Sequence, residues 1–298
     1  MNSFVTRASR PADGTFSGPD LLRTALLMAA LLFSPSLIVA QDETPAAVKP
    51  AVIPPGINGY KTVIPAPKNP RAIRVAIYDG TGAGDSGILD IEARTLQIPG
   101  ARITRLAPAE VGTADLGALF DVIVFSGGSG SKQGNAIGPA GREKVREFVR
   151  NGGGYVGVCA GAYLACTNFE WGLGILDART VSGKWRRGRG FLDLRLSPEG
   201  RGIFGPVEDV FKIRYNNGPV IKPAGRDDIP DYTTVATFLT EVAENDTPAG
   251  IQTGSPAQAT GTFGKGRVFI SSPHSENTPG LENMIPRALL WAAGTPSE

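Results

Sequence analysis

Two kinds of apolar pattern alternate along most of the chain. IRVAIYD (73–79) and DVIVFSGG (121–128) are short, near-continuous apolar runs that end in polar or glycine residues. Runs of that length and content fit strands covered on both faces in a parallel sheet. Between them, ILDIEARTLQI (88–98) has helical spacing and RITRL (102–106) reads as a second strand. PAGREKVREFVRNGGG (139–154) predicts a helix with proline near its start and glycine after its end. YVGV (155–158) then enters AGAYLACTNF (160–169), which reads as helix. Strand, helix, strand, helix is the order of a parallel sheet with crossover helices, an α/β fold.

The pattern changes after residue 180. TVSGKW, FLDLRLS, DVFKIRYNNG, TTVATF and PAGIQTG are short, alternating and bounded by turns. They predict an antiparallel extension at one edge of the sheet. GRVFISS (266–272) returns to the buried-strand pattern. LENMIPRALLWAAG (281–294) predicts a closing helix whose start Pro286 delays or bends.

The first 72 residues belong to neither pattern. Arg7, Arg10 and Arg23 precede the apolar stretch TALLMAALLFSPSLIVA (24–40), and polar QDE follows. A basic lead, an apolar core and a small residue before a polar start predict a signal peptide over 1–40, and with it export to the periplasm or beyond. A retained N-terminal anchor is the other reading. Once the segment is removed, no stretch remains that is long and apolar enough to span a membrane. Residues 41–72 are rich in Pro and Ala and read as a linker or wrapped arm before a domain over 73–298.

Composition narrows the functional classes. The 298 residues are 41% hydrophobic and 19% charged, enough to bury a sizeable core, with a formal net charge of +2. The densest basic cluster, KWRRGR (184–189), reads as a solvated loop or strand edge, and no nucleic-acid partner is expected. Two cysteines and one histidine do not make a zinc set, so no metal and no cofactor are expected. Cys159 and Cys166 lie seven residues apart; in a helix their Cα atoms would be roughly 10 Å apart, too far for a disulfide. Both are expected as free thiols, with Cys166 a small buried residue.

Chemistry concentrates at Cys159. Gly157-Val158-Cys159-Ala160-Gly161 has the form G-x-C-x-G at a strand-to-helix junction. Such a turn exposes a nucleophile and needs small neighbours, because strand and helix approach closely. The helix N-terminus favours a thiolate, and the N–H of Ala160 is placed to stabilise an oxyanion. The alternative is a small core cysteine in a glycine-rich packing junction. His274, the chain's single histidine, follows the strand VFISS, so it shares with Cys159 the carboxyl ends of the sheet, where ligands of open α/β folds bind. Glu276, two residues on, is placed to accept the other ring N–H and orient the base. The glycine loop SGGSGS (126–131) offers a second oxyanion donor at Gly128 or its neighbour. Gly82-Ala83-Gly84-Asp85-Ser86-Gly87 matches a dinucleotide-binding spacing, but Asp85 sits where pyrophosphate would, so a loop flanking the pocket is expected instead.

With these residues in place, the chain resembles the class I glutamine amidotransferase-like superfamily. Within it, the segment GGGYVGVCAGAYLA and the YNNGP element at 215–219 are most similar to the biotin-protein ligase N-terminal-domain-like family. The resemblance implies a flavodoxin-like three-layer sandwich and a Cys159–His274–Glu276 triad. It also implies an oxyanion hole from Gly128 and Ala160, and a substrate pocket lined by Tyr215 and Asn216. The chain carries no ligase core beyond its closing helix and no synthetase, so biotin transfer is not expected. The expected function is that of an amidase-type hydrolase on a small-molecule or peptide amide. The alternative is a binding or sensing module that has lost turnover.

Overall fold

The computed structural model describes residues 63–68 and 70–295, and the 1–40 segment lies outside them. The first half runs β1 (Arg74–Tyr78), α1 (Asp85–Thr95), β2 (Arg102–Leu106), α2 (Pro108–Thr113), α3 (Leu116–Leu119), β3 (Val122–Phe125), α4 (Gly130–Arg150), β4 (Gly154–Val158) and α5 (Ala160–Ala165). The second half runs β5 (Ala178–Thr180), β6 (Arg189–Leu196), α6 (Pro198–Phe204), β7 (Val210–Asn216), β8 (Ile221–Pro223), β9 (Thr233–Phe238), β10 (Pro256–Phe263), β11 (Gly266–Ser271) and α7 (Met284–Ala292). A 3₁₀ turn, Ser275–Asn277, lies between the last two.

Nine strands form one sheet in the order β2-β1-β3-β4-β11-β10-β9-β6-β7. The first five are mutually parallel. β10, β9, β6 and β7 then add antiparallel pairs at one edge. This is the mostly parallel sheet with an antiparallel extension that the pattern predicts. β5 and β8 pair separately.

The alternation of side chains explains the three layers. Ile77, Val124, Val156 and Phe269 face one core, against Ile88 and Ile91 of α1 and Ile285 and Leu289 of α7. Tyr78, Ile123, Tyr155 and Ile270 face the other, against Val145 and Phe148 of α4 and Leu164 of α5. Strands covered on both sides must be apolar at every position, which is why β1, β3 and β4 read as continuous runs.

Several local expectations are corrected. TVSGKW contributes only Thr180 to a strand, and that strand lies in the small sheet. PAGIQTG is turn and bend. Its expected place is taken by β10, which occupies an inner position of the sheet. α4 begins nine residues before Pro139, with a break at Gly138 (φ 66°) that lets proline open its second segment. α5 stops at Ala165 rather than running on to Phe169. Pro286 lies in the first turn of α7, where its missing N–H costs nothing. The described end of the arm packs on the domain: Ile64 is buried, its N–H donates to Gly280 O (3.1 Å), and its carbonyl accepts from Asn283 Nδ2 (2.8 Å).

Candidate active site

β4 and β11 are parallel neighbours, with Val158 opposite Ser271, so their carboxyl ends deliver the next residues side by side. The N–H of Cys159 continues this ladder to Ser271 O (2.8 Å). Cys159 itself adopts φ 51°, ψ −95°, a conformation that side chains other than glycine rarely hold. The turn is tight. A Cβ at Gly157 would lie 2.6 Å from the Gly161 carbonyl, and one at Gly161 would collide with the Phe125 carbonyl oxygen. Tyr155 Oη donates to Gly161 O (2.8 Å) and fixes the start of α5 from below.

His274 comes from the segment after β11. Its N–H donates to Arg214 O (2.8 Å), a bridge that ties it to the end of β7. The following 3₁₀ turn brings Glu276 back to the ring, and Nδ1–H donates to Oε1 at 2.6 Å. Arg94 of α1 holds this turn by donating to Glu276 O (2.8 Å). Both side chains are almost wholly buried. Burial disfavours the imidazolium, but the Glu276 carboxylate and the sulfur of Cys159 outweigh it and push His274 up to about 10. Among the described residues, neither Nε2 nor Glu276 Oε2, both buried, has a hydrogen-bond partner. The thiol donates instead to the Asn216 carbonyl, at 3.4 Å. A Cβ placed on Gly127 would lie 2.9 Å from His274 Cε1 and 3.8 Å from Cys159 Cβ, so only glycine fits between the two side chains.

The glycine loop after β3 forms the floor of the site. Gly84 N–H donates to Gly127 O (2.9 Å) and Ser129 N–H to Gly82 O (2.7 Å). Between those two bonds the N–H of Gly128 points away from the Gly82–Gly84 loop. It donates to no backbone acceptor among the described residues, and neither does the N–H of Ala160. Gln133 braces the loop through Nε2 to Ser126 O (3.0 Å). The glycine-rich 82–87 stretch flanks the cleft through Gly84, Ser86 and Gly87.

These elements enclose a cleft of about 860 Å³ that contains Cys159, His274, Glu276, Gly128 and Asn216. Tyr215, expected in its wall, is not there. Alternation along β7 turns Arg214 and Asn216 to the cleft and Tyr215 to the core, where its hydroxyl donates to Gly218 O (2.7 Å) and its ring meets Phe238 edge-on. Burial raises its phenol, as it does that of Tyr163.

Several cleft residues were not singled out from sequence. Tyr163, one turn after Cys159 on α5, donates to Asn217 O (3.1 Å). It begins an aromatic wall that continues through Phe169 to Trp171, the last two rings stacked 4.3 Å apart. The helical i, i+4 spacing from Cys159 was the available signal for Tyr163. Asn217 holds φ 55° and accepts Gly188 N–H (2.8 Å) through Oδ1, and the Asn-Asn-Gly turn was its signal. KWRRGR is not simply a solvated loop. Arg187 turns inward and pairs with Glu241 (3.5 Å), while Trp185, Arg186 and Arg189 line the cleft.

The comparisons with known proteins agree with this architecture. Residues 73–186 match the family described as biotin-protein ligase, N terminal. No curated protein matches the chain. Among solved structures, a ThuA-like protein from Parabacteroides merdae is similar over 76% of this chain and 92% of its own, with 14% identity and a TM-score of 0.54. PurLQS from Thermotoga maritima is similar over 75% of this chain and 98% of its own, with 15% identity and a TM-score of 0.50. A ThuA-like protein from Bacteroides uniformis is similar over 76% and 93%, with 14% identity and a TM-score of 0.50. At such identities the likeness is one of fold. Residues 73–186 thus match the biotin-protein ligase N-terminal family, and the chain shares its fold with the ThuA-like proteins and PurLQS.

Proposed function

We propose that the protein is an exported amidase-type hydrolase that works through a thioester on Cys159. The observation that carries this is the convergence of a cysteine at φ 51° with a buried His274–Glu276 pair whose second ring nitrogen has no hydrogen-bond partner among the described residues. Cys159 would pass its proton to Nε2 of His274, and its sulfur would attack the acyl carbon. The Glu276 carboxylate favours the imidazolium that results. The N–H groups of Gly128 and Ala160, which have no backbone acceptor among the described residues, would stabilise the tetrahedral oxyanion. The imidazolium then protonates the leaving amine as the C–N bond breaks. Water, deprotonated by His274, cleaves the thioester, releases the acid and restores the thiol.

One observation favours a binding module instead. In the structure the thiol donates to Asn216 O, not to His274. For catalysis the Cys159 side chain must rotate out of that bond. One experiment separates the two. An acyl-fluorophosphonate or acyl-electrophile probe is incubated with the protein, the labelled residue is mapped, and p-nitroanilide substrates are screened in parallel. Hydrolysis that vanishes in Cys159→Ala supports the hydrolase. Full activity in Cys159→Ala on a confirmed substrate ends it. Export rests on the 24–40 segment, and N-terminal sequencing of the mature protein tests it.

A further inference from the structure

We propose that the cleft takes substrates bearing an anionic group, held by Arg186, Arg189 and Arg214. The inference rests on the hydrolase reading only for the acyl part of the molecule. The three arginines line the same cleft as Cys159. None of them makes an ion pair among the described residues. Arg187, Arg201 and Arg226, by contrast, each pair with a carboxylate, that of Glu241, Asp209 and Asp228.

In the cleft the partners are neutral amides. Arg189 Nε donates to Asn216 Oδ1 (3.1 Å), and Arg214 Nη1 donates to Asn277 Oδ1 (3.1 Å). A guanidinium oriented by an amide is held in place without losing its charge. Arg186 lies over the exposed Trp185 ring, 5.0 Å from its centre. Asp90 lies behind Arg214, close enough to feel its charge but with no ion pair to it, and accepts from Asn277 Nδ2 (3.1 Å).

The negative side of the cleft is small. Glu276 is committed to His274, and Glu244 is the one further carboxylate in the lining. The start of α4 also faces the cleft through Ser129, Gly130 and Ser131, with no acidic residue in its first turn. Its dipole adds to the attraction for an anion. Planar guanidinium forks match a carboxylate or a phosphate. Arg189 is tied to Asn216, whose own carbonyl receives the Cys159 thiol, so the anion site and the nucleophile share one support.

The test uses alkylators that report on the cleft whether or not turnover occurs. N-bromoacetyl derivatives of glycine, β-alanine and γ-aminobutyrate are compared with their primary amides, and a bromoacetylated aminoethylphosphonate forms a second arm. Labelling of Cys159 is mapped, and each anion-to-amide rate ratio is divided by the same ratio for free cysteine. At low salt the normalised ratio is expected to be about 10 or more for at least one chain length, collapsing in 0.5 M salt. It should fall several-fold in Arg189→Gln and Arg214→Gln, and less in Arg186→Gln, whose exposed side chain serves as the variant least able to disturb folding. The larger ratio, carboxylate or phosphonate, identifies the anion.

A normalised ratio near 1 in the unmodified protein overturns the proposal. So does a ratio unchanged in all three variants, which would assign the attraction to the His274 imidazolium. A protein that shows the arginine-dependent ratio but hydrolyses no amide of the same acids keeps the anion site and loses the hydrolase reading.

Discussion

The two cysteines sit at opposite ends of the same short helix and on opposite sides of the sheet. Cys159, just before α5, belongs to the core that faces α1 and α7; Cys166, just after it, belongs to the core that faces α4. Both are free and buried. Cys166 has extended backbone, donates its thiol to Ala162 O (3.4 Å), and is pushed up to about 12 by burial alone. Cys159 has a left-handed backbone, a cleft in front of it, and a histidine beside it whose proton affinity its sulfur raises. Burial is common to the two, so burial does not make the difference. Strain, access and an oriented base do.

The sharpest way to break that contrast is Cys159→Ala. On any amide that the unmodified protein cleaves, kcat/KM should fall by about 10⁴-fold or more, the scale seen when a covalent nucleophile is removed. An effect below about tenfold would make Cys159 as inert as Cys166. Iodoacetamide labelling gives the same contrast without a substrate, with peptide mapping expected to find Cys159 modified and Cys166 untouched until the protein is unfolded.

The next test removes the partner that only Cys159 has. Glu276→Gln preserves the shape of the side chain but takes away the charge that favours the imidazolium, and should lower kcat/KM by about 10²–10³-fold. It also has a signature in stability. His274 holds its proton more tightly folded, with its pKa up to about 10, than the usual 6.5 of the unfolded chain. The stabilisation is therefore complete below about 6.5 and is lost as pH rises from there towards 10. Urea unfolding at pH 6, 8 and 10 should show this decline, and Glu276→Gln should flatten it. An equal decline in both proteins would mean that Glu276 does not control the ring.

A third test addresses the strain at Cys159. Gly161→Ala forces a methyl group into the Phe125 carbonyl oxygen, so strand β3 and helix α5 must part. The expected cost is about 1–3 kcal/mol, read from chemical denaturation, and the displaced elbow should lower activity further than the stability loss explains. A neutral substitution would show that the turn is not tightly packed.

How much of this was legible in the chain depended on the half of the sheet. β1, β3 and β4 announce themselves because every position but Arg74 of β1 is buried. β10 does not. Its buried positions carry Ala, Gln and Thr, and Gln258 Nε2 donates to Ser271 Oγ (3.1 Å) where an apolar side chain would pack. Neighbours on both sides make it a strand, and that information is not local. The site divides in the same way. Cys159 and His274 are rare residue types at strand ends, and Glu276 follows His274 by two residues, so position and chemistry both point to them. Arg189 and Arg214 are common types on alternating strands, and which parity of β7 faces the cleft is set by packing against β6 and Phe238. That parity also turned Tyr215 inward.

The smallest effect belongs to the other thiol. Cys166→Ala removes a sulfur from the packed core beside α4 and from a bond to Ala162 O, without touching the cleft. A loss of about 1 kcal/mol is expected, near 2–4 °C in Tm for a domain of this size. Because Cys166 lies across the sheet from His274 and shares no partner with it, the change should not couple to Cys159 or Glu276, and kcat/KM should stay within about twofold. The double variant Cys159→Ala/Cys166→Ala is then the decisive form of the comparison. Its stability should equal the sum of the single effects, and its residual activity should match that of Cys159→Ala alone. If Cys166→Ala alone lowered turnover tenfold, the two ends of α5 would act as one unit, and the distinction between a core thiol and a nucleophile would have to be redrawn around the whole helix.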